Sequence, residues 1–344
     1  MKVLVDIGHP AHVHFFKNAI WKLESEGHQV QITARDKEIA LYLLDVYGFY
    51  YHDLGKNQKG LLKKGIYMLK IDFEMYKVVK KFNPDVLMGI HNPYIAQVSK
   101  LSRKPSLIYT DTEHAKFANN LTFPFATVNF TPSCFKKDLG SKQIRYNGYH
   151  ELAYLHPDYF TPDPSVLDEL ELKEGERFII LRFVAWGASH DGGHKGISME
   201  LRRRFVRELE KYGRILITSE SELPAEFEPY RMKLAPEKMH DLLYYAALYV
   251  GEGGTMATEA GILGTPSIYI SSLVGSMGNF EELENKYGLV YSFRDPLSAI
   301  DDIFKILKNN NSKDEWKVKR KILLDETIDV TSFIVKNIKD KVKI

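Results

Sequence analysis

Apolar positions along the chain alternate between short continuous runs and stretches that repeat near 3.6 residues. Val3 to Ile7 is a β-branched run broken only by Asp6, as expected for a parallel strand buried on both faces. Val13, Phe16, Ala19, Ile20 and Leu23 fall at helical spacing over residues 13–26. Gly27 is a C-cap candidate, and HQVQITAR then reads as the next strand. This βαβ unit implies a right-handed crossover in a parallel sheet. The alternation continues through a helix at EIALYLLDVYG, a strand at 85–90, a helix at PYIAQVSKLS, and strands at 105–111 and 126–132. Such a rhythm predicts a doubly wound α/β domain.

Residues 147–165 interrupt it with three prolines and four aromatics and no clean period, and they read as a linker. A second alternation follows: strands at 177–184, 214–220 and 266–272, with helices at 199–213, 237–248 and 255–264. The expected domains are 1–150 and 151–325, each Rossmann-like. A charged C-terminal helix, 326–344, is expected to cross back to the first domain. A chain of 344 residues supports two cores rather than one.

Composition narrows the classes. Hydrophobic residues are 44% and charged residues 27%, with a net charge of +2, which reads as soluble and globular and gives no sign of nucleic-acid binding. The single cysteine, Cys134, excludes an internal disulfide and fits a cytoplasmic setting. MKVLVDIGHP is not a signal peptide, and no stretch approaches the roughly 20 apolar residues of a membrane span. Segment 56–82 holds eight lysines among Leu, Ile, Met, Phe and Tyr. It is either a solvated helix or one lying on an anionic membrane surface, at the inner face, where it would suit a lipid-linked acceptor.

The most informative motif is GEGGTMATEAGILGTPSIYI, residues 251–270. It reads as strand, double glycine, helix, then Gly-x-Pro and a second strand. Gly253 and Gly254 let backbone approach a ligand, and the free N–H groups and dipole of the helix favour an anion. Thr255 can add a hydroxyl to a phosphate oxygen. Glu259, one turn on, is suited to a ribose diol. In AWGASHDGGHKG, Gly187 lets the loop wrap a ligand, and Lys195 with Arg182 could neutralise a diphosphate. His190, Asp191 and His194 are candidates for the sugar. Asp111 and Glu113 follow the carboxyl end of a strand, where open α/β sheets bind ligands, or else form an acidic first turn.

The pattern GGT-x3-E-x4-G-x-P resembles the nucleotide-binding signature of two-domain GT-B glycosyltransferases of the MurG type and of UDP-N-acetylglucosamine 2-epimerases. Glu252 and Glu259 are seven apart, not the eight of the retaining enzymes. In the first domain PAHVHFFKNAIWKLESEGH resembles the MurG-type first loop and helix. Fifteen residues before Gly27 stands His12, which matches the family histidine, while Pro10-Ala11 replace the usual Gly-Gly. In MGNFEELENKYG, Asn279 and Glu282 stand where the family places sugar contacts. The combination, with TDTEHA, looks like an uncharacterised family best represented in archaea.

The resemblance implies two Rossmann-like domains facing a cleft, with a UDP-sugar as co-substrate held mainly by the second. The implied reaction is inverting transfer to an unknown acceptor, as in cell-envelope glycan synthesis, with no obligatory metal or other cofactor. A non-hydrolysing 2-epimerase and a nucleotide-sugar-binding protein without turnover are the rivals. Among the histidines of GHPAHVHFF, His12 is the expected base, His14 its neighbour, and His9 part of the turn, extended before Pro10. No recognised zinc spacing occurs there. Monomer and homodimer both stay open.

Overall fold

The computed structural model describes every residue except 38, 57–60, 174, 185–195, 220–221 and 343–344. The chain divides into two units, Met1–Tyr159 with Thr327–Ile344, and Phe160–Glu326.

The first unit begins with β1 (Lys2–Ile7), α1 (Pro10–Ser25), β2 (Gln29–Asp36), α2 (Ala40–Val46), β3 (Tyr51–Lys56) and α3 (Leu61–Phe82). It continues with β4 (Val86–Ile90), α4 (Pro93–Ser102), β5 (Ser106–Tyr109), α5 (Lys116–Thr122), β6 (Val128–Pro132), β7 (Gln143–Tyr146) and α6 (Leu152–Leu155). Its seven strands are all parallel, in the order β3-β2-β1-β4-β5-β6-β7. The order reverses between β1 and β4, so the carboxyl ends of these two strands mark the topological switch point. Leu4, Leu87 and Ile108 send their side chains to a core shared with Ile71, Met75 and Val79 of α3 and Ile95 of α4. Gly27 takes φ 81° after α1, and the His28 N–H closes back on Leu23 O, which is how glycine ends this helix.

The second unit holds α7 (Ser165–Glu169), β8 (Phe178–Phe183), α8 (Met199–Leu209), β9 (Arg214–Ser219), α9 (Met239–Tyr245), β10 (Leu248–Gly251) and α10 (Gly254–Ile262). After these come β11 (Ser267–Ile270), α11 (Gly278–Asn285), β12 (Val290–Phe293), α12 (Ile300–Lys308) and α13 (Ser312–Glu326). Its five parallel strands run β12-β11-β10-β8-β9, with the switch point between β8 and β10. The last helix, α14 (Val330–Val342), packs on α1 and α6 of the first unit.

The doubly wound α/β reading therefore describes both units. The linker reading of 147–165 needs correction. Leu152, Ala153 and Leu155 are fully buried in the first unit. Asn18 Nδ2 and Thr331 Oγ1 both donate to Ala153 O, at 2.8 and 2.7 Å. The prolines that suggested a linker all follow this buried turn.

Packing in the second unit is tight at Gly261 of α10. A Cβ there would lie 2.6 Å from Val290 Cγ2 and 3.2 Å from Leu289 O. Gly261→Ala is expected to destabilise this unit by about 1–3 kcal/mol through overpacking, read as a lower denaturation midpoint with fluorescence and circular dichroism following the transition.

Candidate functional site

In the first unit the switch point is organised around Asp6, the last but one residue of β1. Its carboxylate is fully buried. It accepts hydrogen bonds from Thr33 Oγ1 at 2.7 Å and from Asn92 Nδ2, and it pairs with Arg35 at 3.0 Å. The Arg35 guanidinium lies over the Tyr94 ring at 4.6 Å. It also occupies the flank of Gly8, where a Cβ would sit 2.0 Å from Arg35 Nη2. Because the guanidinium is held by Asp6, the loop after β1 can approach it only as glycine.

His9 ends that loop in an extended conformation (φ −160°, ψ 152°) and caps α1 by accepting the Ala11 N–H at 3.2 Å. Pro10 fills the first helical position. His12 follows, partly buried, with its ring 5.8 Å from that of His9. Burial holds His12 well below the ordinary histidine value, and His9, Arg35, Lys37 and His150 push the same way. Its Nδ1 accepts the Gly8 N–H at 3.3 Å. A neutral imidazole that accepts at Nδ1 carries its proton on Nε2, so His12 presents a donor. This tautomer does not support the expected role of His12 as a base.

His14 points elsewhere. Two residues on along a helix, it packs between Tyr154 and Tyr47 at 5.4 and 6.0 Å. Its ring is buried against these two tyrosines. Glu113 also departs from expectation. It is buried, its carboxylate accepts the Lys136 N–H at 3.1 Å, and its carbonyl takes Lys137 Nζ and Asn119 Nδ2. This residue joins two loops and is not open to a substrate.

Asp111 does reach the site. It stands beyond the carboxyl end of β5, partly exposed, with Oδ1 accepting from Thr112 Oγ1 at 3.1 Å. Its Oδ2 is 3.6 Å from Nδ1 of His150, a residue missing from the sequence-level candidates. His150 is buried against Phe15, ring centres 4.6 Å apart. His91, also unanticipated, follows β4 with φ 44°, a left-handed conformation that costs a residue with a Cβ. Its ring stacks on Phe123 at 5.9 Å. Burial lowers both His91 and His150, and Asp111 partly offsets this in each. The run GIHNP offered a signal: a histidine at a strand's carboxyl end, just before an Asn-Pro helix start.

In the second unit Arg182 lies near the end of β8, paired in register with Gly251 at the end of β10. Its Nη1 donates to Thr218 Oγ1 at 2.9 Å. A Cβ at Gly251 would lie 2.5 Å from Arg182 Cβ, and one at Gly253 would lie 3.1 Å from Arg182 Cγ. Both glycines thus let the β10–α10 turn lie against the arginine. Gly253 is the N-cap of α10 and offers no side chain to its first N–H groups. Tyr249 Oη donates to Gly253 O at 3.0 Å and braces the turn. Gly254 packs against Phe280, and Thr255 is exposed in the first turn. The result is an open helix N-terminus beside a cation at a switch point, suited to an anion.

Glu259 is buried, with Oε1 3.1 Å from His240 Nε2, so the carboxylate expected on a ribose already has an imidazole partner. Asn279 is buried and accepts the Phe280 N–H at its own helix start, whereas Glu282 is partly exposed on α11. Gly187, His190, Asp191, His194 and Lys195 lie outside the described residues. Glu252 brackets that segment. It accepts the Val184 N–H at 3.1 Å and the Ile197 N–H at 2.7 Å, with Arg202 at 3.5 Å.

The family model described as a protein of unknown function, DUF354, matches residues 1–342. The chain belongs to the DUF354 family. Uncharacterized protein MJ0665 of Methanocaldococcus jannaschii is 26% identical over 288 residues, covering 80% of this chain and 84% of that one. Among solved structures, this DUF354 chain resembles the UDP-GlcNAc 2-epimerase of Neisseria meningitidis bound to UDP-GlcNAc. That match has a TM-score of 0.70 at 13% identity, over 99% of this chain and 100% of that one. It also resembles the glycosyltransferase SsfS6 of Streptomyces sp. SF2575, with a TM-score of 0.61 at 13% identity, over 97% and 99%. These likenesses establish for the DUF354 chain the GT-B-type fold that its sequence resembles.

His12, His91 and His150 all have native values below that of an unfolded histidine, near 6.5. Below that pH the unfolded chain binds more protons than the native one. The stability these neutral rings contribute is complete above about pH 6.5 and is lost as pH falls below it. Urea unfolding between pH 8 and 5 is expected to show this decline, and a combined His91→Asn, His150→Gln variant should flatten it.

Proposed function

We propose that this protein is a glycosyltransferase that moves a sugar from a UDP-sugar to a hydroxyl acceptor with inversion at the anomeric carbon. The observation that carries the reading is Arg182 lying against the open N-terminus of α10 at the second unit's switch point. In this reading the diphosphate rests on the first N–H groups of α10, with Arg182 and Thr255 around it. These groups stabilise the charge that grows on the leaving diphosphate, so an obligatory metal is not invoked.

Transfer requires three coupled changes. The acceptor oxygen bonds to the anomeric carbon, the bond from that carbon to the diphosphate oxygen breaks, and the acceptor proton passes to a base. A 2-epimerase would instead need an acid/base pair on the sugar. Asp111 and Glu113 were the candidates, and Glu113 is buried and committed to a backbone N–H. The likeness to the Neisseria epimerase keeps that reaction as the second reading.

A lipid-linked acceptor gains support from α3. Ile71, Met75 and Val79 face the core, whereas Leu69 and Phe73 are exposed and Lys77 lies over the Phe73 ring at 4.4 Å. No helix among the described residues is long and apolar enough to cross a membrane.

Incubation with UDP-N-acetylglucosamine separates the readings. Release of UDP on adding a lipid extract is expected, formation of the 2-epimer would establish the rival, and no change would favour a binding protein. Arg182→Met is expected to weaken UDP binding by roughly tenfold to a hundredfold, as loss of a charged hydrogen-bond donor does. Calorimetry with UDP measures this directly.

A further inference from the structure

We propose that the first unit carries a subsite for a neutral sugar ring. The Asp72 carboxylate of α3 accepts from its hydroxyls, and Arg35 Nη1 of β2 donates to them. The sugar-transfer reading is needed only for calling that ring part of the acceptor.

α3 packs on the core through Ile71, Met75 and Val79, spaced one turn apart. Asp72 follows Ile71, so it stands at the edge of this apolar stripe. The exposed Leu69, Phe73 and Lys77 lie on the other face. Asp72 Oδ1 is buried, and among the described residues no group hydrogen-bonds it. Burial pushes this carboxyl up to about 7, with no cation among the described residues to offset the rise. A buried acceptor in that state is uncommon and calls for a donor that arrives with a ligand.

A second such atom stands nearby. Arg35 is buried, gives Nη2 to Asp6 at 3.0 Å and lays its guanidinium over the Tyr94 ring at 4.6 Å. Its Nη1 is buried without a hydrogen bond among the described residues. Tyr94 senses both groups. Burial raises its phenol, Arg35 opposes that rise, and Asp6 and Asp72 add to it. Tyr67, one turn before Ile71, donates its Oη to Gly55 O at 3.2 Å. Its phenol oxygen keeps lone pairs for a further donor. Burial raises Tyr67 as well, Tyr94 adds to this, and Arg35 again opposes it. Arg35 and Gly55 are the last but one residues of β2 and β3, and Tyr94 opens α4 just after β4. The group therefore collects at the carboxyl end of the sheet, where open α/β folds bind ligands.

Hydrogen bonding selects the ligand class. An ammonium satisfies Asp72 but has no lone pair for Arg35 Nη1. A phosphate satisfies Nη1 but brings no donor to Asp72. Hydroxyls on a sugar ring both donate and accept, and they add no charge. The amino end of the second unit's sheet lacks such a pair of atoms. A cavity of about 360 Å³ there is lined by Lys173, Arg177 and Lys313 among others. However, Arg177 Nη2 donates to Leu307 O at 3.1 Å and Lys313 Nζ to Ala246 O at 3.0 Å, so these cations already serve backbone carbonyls.

The test is carbon-13 NMR of the full-length protein labelled at aspartate carboxyls. Methyl glycosides of glucose, galactose and mannose are the probes, at millimolar concentration. The Asp72 signal is identified by its loss in Asp72→Asn. At least one glycoside is expected to shift that signal saturably and to lower its titration midpoint, because hydroxyl donors favour the carboxylate. Asp72→Leu is expected to weaken that glycoside by roughly tenfold to a hundredfold, read by calorimetry. If Asp72→Leu fails to fold, the wild-type titration decides. The inference is overturned if no glycoside moves the Asp72 signal, or if Asp72→Leu binds within about threefold of the wild type. It is also overturned if methylammonium or inorganic phosphate moves the signal and the glycosides do not. A wild-type protein that binds a glycoside at Asp72 but releases no UDP from UDP-sugars supports the subsite and overturns the transfer reading.

Discussion

The buried pairing of Asp6 with Arg35 is the contact on which the first unit's site depends. Asp6 joins three strands through Thr33 and Arg35 of β2 and Asn92 after β4. Asn92 in turn caps α4 by accepting the Ile95 N–H at 3.0 Å. Arg35 forms the floor under Gly8 and contributes to the low pKa of His12. Removing one partner of such a pair leaves an uncompensated charge, typically costing 3–5 kcal/mol. Here it would also release the loop that carries His9 and sets the tautomer of His12.

The second unit solves a similar problem with glycine. Arg182 takes a fixed place at the end of β8 because Gly251 and Gly253 give it room and Thr218 holds its tip. Glu252, between the two glycines, anchors the residues on both sides of 185–195. In each unit a cation stands at the switch point of a parallel sheet, beside a helix start that approaches closely through glycine. In the first unit the cation is neutralised by Asp6, and the site becomes one of imidazoles. In the second the cation faces an open helix N-terminus.

Much of the fold was legible in the sequence because buried parallel strands read as apolar runs and helix ends carry glycine or proline. Gly27, Pro93 and Gly253 mark their boundaries correctly. Strands β3, β7 and β12 were missed because YHDLGK, QIRY and VYSF are short and partly exposed, with too few apolar positions to show a period. The glycine-rich turn and Arg182 were readable as a motif. The roles within GHPAHVHFF were not, because the tautomer of His12 depends on Gly8 rather than on spacing. His150 was hidden in a stretch whose prolines suggested a linker, and Glu113 looked catalytic because sequence does not show that Lys136 N–H already binds it.

The N-terminus of α10, with Arg182, is proposed as the diphosphate site. A crystal structure of the full chain with UDP tests it most directly. The diphosphate is expected on the first N–H groups of α10, within hydrogen-bond distance of Arg182. UDP bound elsewhere, or a diphosphate without contact to either, would contradict it.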